Sequence, residues 1–298
     1  MTEDPDDAWV EVRRFTGRAD AEQHALVLAA VGIDCRLVGR DGAIAQSVAP
    51  THAPRARQEL ASYAQENRRV RSAPALRGLA EGIDGALVYC AVLLFLHGAS
   101  SRQAFSQDWL SAGAAQAGLI AEGEWWRVLT ALGLHADLGH LASNLAFGSL
   151  LGLLLAQLLG PGLAWLAILL SGALGNALNA LLHPAAHTAI GASTAVFAAL
   201  GILAALAWSH RAPLWRHGLR RWLPLAAGVM LLAYLGVGGE RTDIGGHFAG
   251  FAAGVASGVG LAWAGQRVPQ GAIAQLSFAT AALGLLGLAW LLALQAHG

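Results

Sequence analysis

An all-α polytopic membrane protein, preceded by a small α+β cytoplasmic domain, is the fold class that this 298-residue sequence predicts. Three observations predict it. Charge is segregated, with 24 of the 38 charged residues in positions 1–84 and no acid anywhere in positions 138–239. Seven apolar runs follow position 82, several of them near the roughly 20 residues that a helix needs to cross a bilayer. Positions 1–70 carry instead the shorter periods of strands and amphipathic helices.

Positions 8–15 mix Trp9, Val10, Val12 and Phe15 with charge, as a half-buried strand does. Positions 19–31 place Ala21, Ala25, Leu26, Leu28 and Ala29 at helical spacing ahead of Gly32, a stop signal. Strands over 33–38 and 43–48 flank a turn at 39–42, and a second amphipathic helix covers 54–67. The β-α-β-β-α order predicts a ferredoxin-like or signal-transducing-like accessory domain over 1–70. With no polar cluster to suggest chemistry, it reads as a binding or regulatory module whose ligand or partner is unknown. The acidic start, Glu3, Asp4, Asp6 and Asp7, is the opposite of the basic start of a secretory signal peptide, so this head is expected in the cytoplasm.

Arg68, Arg69, Arg71 and Arg77 form a basic stretch that runs through a linker at 71–81. The spans are then expected at 82–99, 140–159, 162–182, 193–208, 222–237, 245–264 and 273–294. Counting from an inside start returns Arg211, Arg216, Arg220, Arg221 and Arg267 to the cytoplasm, in agreement with the positive-inside rule, and leaves the carboxyl terminus outside. Trp208, Trp215, Trp222 and Trp263 stand at run ends, where an amphipathic ring favours the interface. The loop at 100–138 carries Trp109, Leu110, Trp125, Trp126, Val128 and Leu129, so it is expected to lie partly in the interface and pack on the bundle.

Formal net charge is zero, with no Lys and no basic tail, so nothing attracts nucleic acid. Cys35 and Cys90 fall in different regions and imply neither a disulfide framework nor a thiolate metal site. Polar groups inside apolar spans are costly, which makes each a functional candidate beside its packing reading. His140 and Asn144 share one helical face and suit a developing oxyanion, or equally an interhelical hydrogen bond. A metal site that includes His135 is conceivable but is not convincingly completed by its neighbours in the sequence, and neither metal nor cofactor is expected. Ser193 opens a span after Gly191 and Ala192; such a serine is an N-cap or, beside a base and oxyanion donors, a nucleophile. Gly246, Gly250, Gly254 and Gly258 recur every four residues and allow close helix approach, which explains the glycines but not His247, a candidate general base. Asp243, one turn earlier, is a candidate to orient that ring.

Taken together, Glu124-Trp125-Trp126-Arg127, the run from His135 through His140 to Asn144, Gly191-Ala192-Ser193 and Gly246-His247 with Gly250 and Gly254 resemble the motifs of the rhomboid family of intramembrane serine proteases. The resemblance covers 82–264 as a six-helix core and leaves 265–298 as a linker and an added seventh transmembrane helix. It implies an endopeptidase with a Ser193 and His247 dyad, in which His140, Asn144 and the Ser193 amide polarise the scissile carbonyl. It further implies that Phe197 packs on the catalytic histidine and that Trp126 and Arg127 brace the outer loop. By the same resemblance, Ser171, Gly172, Gly175 and Asn176 are expected to line the cavity or pack beside it. Single-span membrane proteins are the implied substrates, cut near the extracytoplasmic interface of the cell's inner membrane. Thr194 stands where the family usually has glycine, and is expected to reshape the substrate pocket. The alternatives are an inactive membrane-protein binder of the same architecture and a small transporter or channel, which would ordinarily carry intramembrane acids.

Overall fold

The computed structural model describes residues 9–40, 42–67, 78, 80–209, 222–236 and 243–297. The chain divides into two compact units, Met1–Ala73 and Pro74–Gly298. The basic stretch at 68–77, the Arg-rich loop at 211–221 and the acidic first residues lie outside the described residues.

The first unit runs β1 (Val10–Phe15), α1 (Arg18–Ala30), β2 (Cys35–Arg40), β3 (Ala43–Val48) and, after a 3-10 turn at Pro50–His52, α2 (Ala53–Asn67). β3 lies between β1 and β2 and is antiparallel to both, so Val48 stands opposite Val10 on one side and Cys35 on the other. The strands joined by α1 are therefore parallel and separated by a third, the arrangement of a split β-α-β unit. Leu28, Ile33, Val48, Ala53, Ala56 and Leu60 form its core. The turn is shorter than expected: β2 continues to Arg40, which pairs with Ala43, and the positive φ of 75° at Gly42 suits a two-residue reversal.

The second unit is a helical bundle. In chain order it holds α3 (Ala80–Ser101), α4 (Trp109–Gly113), β4 (Ala115–Gln116), α5 (Ala117–Ala121), α6 (Arg127–Thr130), α7 (Leu138–Leu159), α8 (Pro161–Leu182), β5 (Thr188–Ala189), α9 (Ser193–Ser209), α10 (Leu223–Gly236), α11 (Ile244–Ala264) and α12 (Ala272–His297). Among the described residues, α3, α7, α8, α11 and α12 are long and apolar enough to cross a membrane. α9 and α10 are shorter apolar helices of 17 and 14 residues.

α9 is the hub, packed against α7, α8, α10 and α11. Its side chains from Thr194 through Ile202 are buried without a break, which is why its sequence is apolar all round. Seventeen residues rise about 25 Å, less than the ~30 Å hydrocarbon core, and neighbours that enclose α9 make that shortfall tolerable. Against it lies α11, brought close by glycine. A Cβ at Gly250 would fall onto the Thr194 carbonyl oxygen, one at Gly254 onto that of Ala198, and one at Gly201 of α9 onto that of Phe251. Gly246 departs from this stripe: a Cβ there would meet the Asp243 carboxylate 2.9 Å away and not α9.

α12 is fastened at both ends. Near its start, buried Gln275 accepts a hydrogen bond from the Leu163 amide (3.0 Å) and donates to the Leu159 carbonyl (3.2 Å), closing the α7–α8 turn at Gly160. Toward its end, Trp290 packs on Trp109 with ring centroids 5.0 Å apart. His297 accepts from Arg127 Nη2 at 2.9 Å. The segment between α3 and α7 thus packs on the bundle through Trp109, Ala112, Ala114 and Leu134. A short β4–β5 pair joins it to the segment before α9.

Candidate active site

Ser193 Oγ lies 2.9 Å from Nε2 of His247. The serine stands at the first position of α9 and the histidine in the first turn of α11, so the glycine-lined contact between these two helices sets their separation. The chain reaches Ser193 through Gly191, whose φ of 124° is closed to other residues. A Cβ there would also strike the His140 ring, 2.6 Å from Cε1 and 2.7 Å from Nε2. The same imaginary atom is 3.6 Å from Ser193 Oγ, so the His140 imidazole and the serine hydroxyl flank one glycine. Phe197, one turn along α9, packs its ring on that of His247 with centroids 4.4 Å apart.

His135 holds this turn. Its Nδ1 donates to the Gly133 carbonyl at 3.3 Å, which leaves Nε2 to accept from the Ala192 amide at 3.4 Å. The Gly191 amide donates to the Ala131 carbonyl at 2.9 Å beside it. Burial, with the neighbouring His140, pushes the His135 pKa down to about 4, so the ring is neutral as both hydrogen bonds require. Asn144 is buried and donates one amide hydrogen to the His140 carbonyl of its own helix at 3.0 Å. Its backbone carbonyl accepts from Tyr89 at 2.8 Å.

Asp243 does not orient the His247 ring. Its Oδ1 accepts from the Gly246 amide at 2.9 Å and its Oδ2 from Asn179 Nδ2 at 2.6 Å, while Oδ2 faces His187 Nε2 at 3.2 Å. Burial raises the carboxyl's pKa, but these hydrogen bonds outweigh it and leave the group below the ordinary carboxylate value. The acid is the N-cap of α11 and fixes the helix that carries His247. Thr194 is likewise not beside the nucleophile's open side: its methyl sits where α8 and α11 meet α9, against Gly175 and Gly250. Ser171 donates to or accepts from Ser257 at 2.8 Å, Asn176 donates to the Val128 carbonyl at 3.0 Å, and Gly172 abuts Ala195. Those α8 residues bind helices and loop together and do not face Ser193.

A hydroxyl within hydrogen-bond reach of an imidazole, with further donors on a third helix, is the equipment of acyl transfer. The Rhomboid domain family matches residues 122–264, a stretch that starts just before Glu124 and ends with the last residue of α11. The chain carries a rhomboid domain. It is similar to rhomboid protease GluP of Bacillus subtilis (strain 168), 37% identical over 120 residues, which is 40% of this chain and 22% of that protein. It is also similar to Rhomboid-like protease 3 of Toxoplasma gondii, 35% identical over 148 residues, covering 48% of this chain and 54% of the relative. Rhomboid-like protein 11, chloroplastic, of Arabidopsis thaliana is 35% identical over 89 residues, 29% of this chain and 32% of that protein. The matched stretches thus span between about a fifth and a half of these relatives' lengths. With its apolar helices, the rhomboid domain makes this a multi-pass membrane protein.

At the edge of the rhomboid domain, Arg127 is 1% exposed and ties the segment before α7 together. It donates to Glu124 (2.6 Å) and to the Ser111 and Ala114 carbonyls (2.8 Å each), besides His297. Trp126 packs between two apolar clusters beside it. Gln275 and Asn179 carry no motif, and sequence reasoning passes over both; the signal available was an amide in an otherwise apolar run.

Proposed function

We propose that this protein is an intramembrane serine endopeptidase that cleaves transmembrane proteins near the extracytoplasmic interface with a Ser193–His247 dyad. The observation that carries the reading is the 2.9 Å contact between Ser193 Oγ and His247 Nε2 inside a rhomboid domain. In this mechanism His247 Nε2 takes the Ser193 proton as Oγ attacks the scissile carbonyl, and the imidazolium then returns that proton to the leaving amine. Water repeats the sequence on the acyl-enzyme, giving its proton to His247 and releasing the carboxylic acid and free Ser193. His140, the second amide hydrogen of Asn144 and the Ser193 backbone amide are the donors proposed for the carbonyl oxygen. Phe197 fixes the His247 ring. Together, a first span after an inside-facing basic stretch and the odd number of spans support a cytoplasmic head and an extracytoplasmic carboxyl end.

Purified protein should react with a fluorophosphonate probe and cut a tagged single-span substrate. Ser193→Ala should abolish both. His247→Ala should reduce cleavage to background, and the double variant should be no worse, because nucleophile and base act as one unit. Wild-type cleavage by Ser193→Ala, with contaminating proteases excluded, would overturn the dyad, and absence of cleavage and labelling in the folded wild type would favour the binder reading.

A further inference from the structure

We propose that His183, His187, Asp243 and Asn179 form a binding site for a zinc-class divalent cation at the rim of the bundle, separate from the dyad. One ring nitrogen of His183, one of His187 and an Asp243 oxygen are mutually within 4.8 Å. The His187–Asp243 pair, at 3.2 Å, already has the spacing of two ligands on one ion. Bonds of 2.0–2.1 Å at the tetrahedral angle set ligand atoms about 3.4 Å apart.

His187 Nε2, now between Asn179 Nδ2 at 3.3 Å and Asp243 Oδ2 at 3.2 Å, would exchange those contacts for the ion. His183 Nδ1 donates to the Asn179 carbonyl at 2.9 Å, which fixes the tautomer and leaves the Nε2 lone pair free for a metal. The two imidazoles stack with centroids 4.1 Å apart, which holds them side by side. The second, independent observation is Asn179. It is 2% exposed, yet its Oδ1 is buried without a hydrogen-bond partner. The amide orientation is dictated by Asp243, whose carboxylate demands the Nδ2 side at 2.6 Å. Oδ1 is thereby turned toward His183: a Cβ on Gly245 would lie 2.8 Å from Asn179 Oδ1 and 3.2 Å from His183 Nε2. A buried, unsatisfied oxygen costs free energy unless something positive faces it.

Two imidazoles with oxygen donors suit zinc among first-row divalent ions. With Asp243 and His187 each about a quarter exposed, an ion can enter from the aqueous side. The ligands are 183, 187 and 243, so only the fold brings them together. A bound ion would tie the segment after α8 to the residue that caps α11. That is a staple one helical turn from His247, and it does not rest on the protease reading.

The test uses the full chain in detergent, with affinity tags removed and stripped with EDTA. Zinc titrated calorimetrically should bind at one equivalent per chain and raise the unfolding temperature. His183→Ala should weaken zinc binding about tenfold or more while still folding cooperatively, its metal-free melt lowered only by the lost bond to the Asn179 carbonyl at the end of α8. Ser193→Ala should bind as wild type, separating this site from the dyad. In His187→Cys, cobalt should give a thiolate charge-transfer band absent from cobalt-loaded wild type. Unchanged zinc binding by His183→Ala, or no new band in folded His187→Cys, would overturn the proposal.

Discussion

His135 carries a consequence in pH. The native site needs its neutral ring, and its pKa of about 4 lies below the ordinary ~6.5 that the unfolded chain presents. The unfolded state therefore binds this proton first, so the stability that the neutral ring contributes is complete above about pH 6.5 and is lost as pH falls toward 4. Asp243, also held low, loses its contribution in the same direction but in the more acid carboxylate range. Unfolding temperatures measured in detergent from pH 8 to pH 4 should fall below about 6.5, and His135→Gln should flatten the upper part of that slope. Thr194 makes a second prediction: since its methyl fills the space at Gly175 and Gly250, Thr194→Gly should lower the unfolding temperature and leave the cleavage profile across a substrate panel unchanged. The sequence alone pointed to the pocket for Thr194, because adjacency to a nucleophile is visible in a sequence and the direction of a side chain is not. Ser193, His247, His140 and Asn144 could be named because polar residues are scarce in apolar spans. His135 could not be given its task, since that depends on a backbone amide 57 positions away.

The pair α9 and α11 is the element on which the site depends. Gly254→Ala would drive a methyl into the Ala198 carbonyl and separate the helices, whereas Gly260→Ala, with nothing within 4 Å, meets open space. Gly254→Ala should lose most cleavage and unfold at lower temperature. Gly260→Ala should keep full activity and gain up to about 1 kcal/mol from helix propensity. Parallel cleavage assays and thermal melts check both. Most of the helices could be read from apolar length, and the seam from a four-residue glycine period. What periodicity missed was local: Gly246 continues the pattern yet faces Asp243, because the cap residue folds back over the first turn. The short helices α4, α5 and α6 were read only as an interfacial loop. α4 and α6 are held through Trp109 and Arg127, and α5 by the Gly118 amide on the Ala185 carbonyl, not by any period of their own.

At the scale of the molecule, the two units each have a core of their own, and every residue of the proposed chemistry lies in the second. Removing residues 1–73 should therefore leave kcat/KM on a detergent-solubilised substrate within about twofold, by the additivity of independent units. A larger fall with an unchanged melt would give the head a catalytic part. The order of elements in the first unit and of the apolar helices in the second was legible, but the fastening of α12 was not, since Gln275 and His297 find their partners more than a hundred residues away. That fastening bears on how the protein sits in bilayers of different thickness. Single helices meet a thinner or thicker membrane by tilting one at a time. Here α12 runs from the α7–α8 turn to Arg127 and locks the two rims at one separation. The bundle must then tilt as a block or deform the lipid around it. The depth of Ser193 is thus set against the protein's own frame, and a change in lipid chain length would slide the substrate past a fixed blade, changing which of its bonds comes level with the serine.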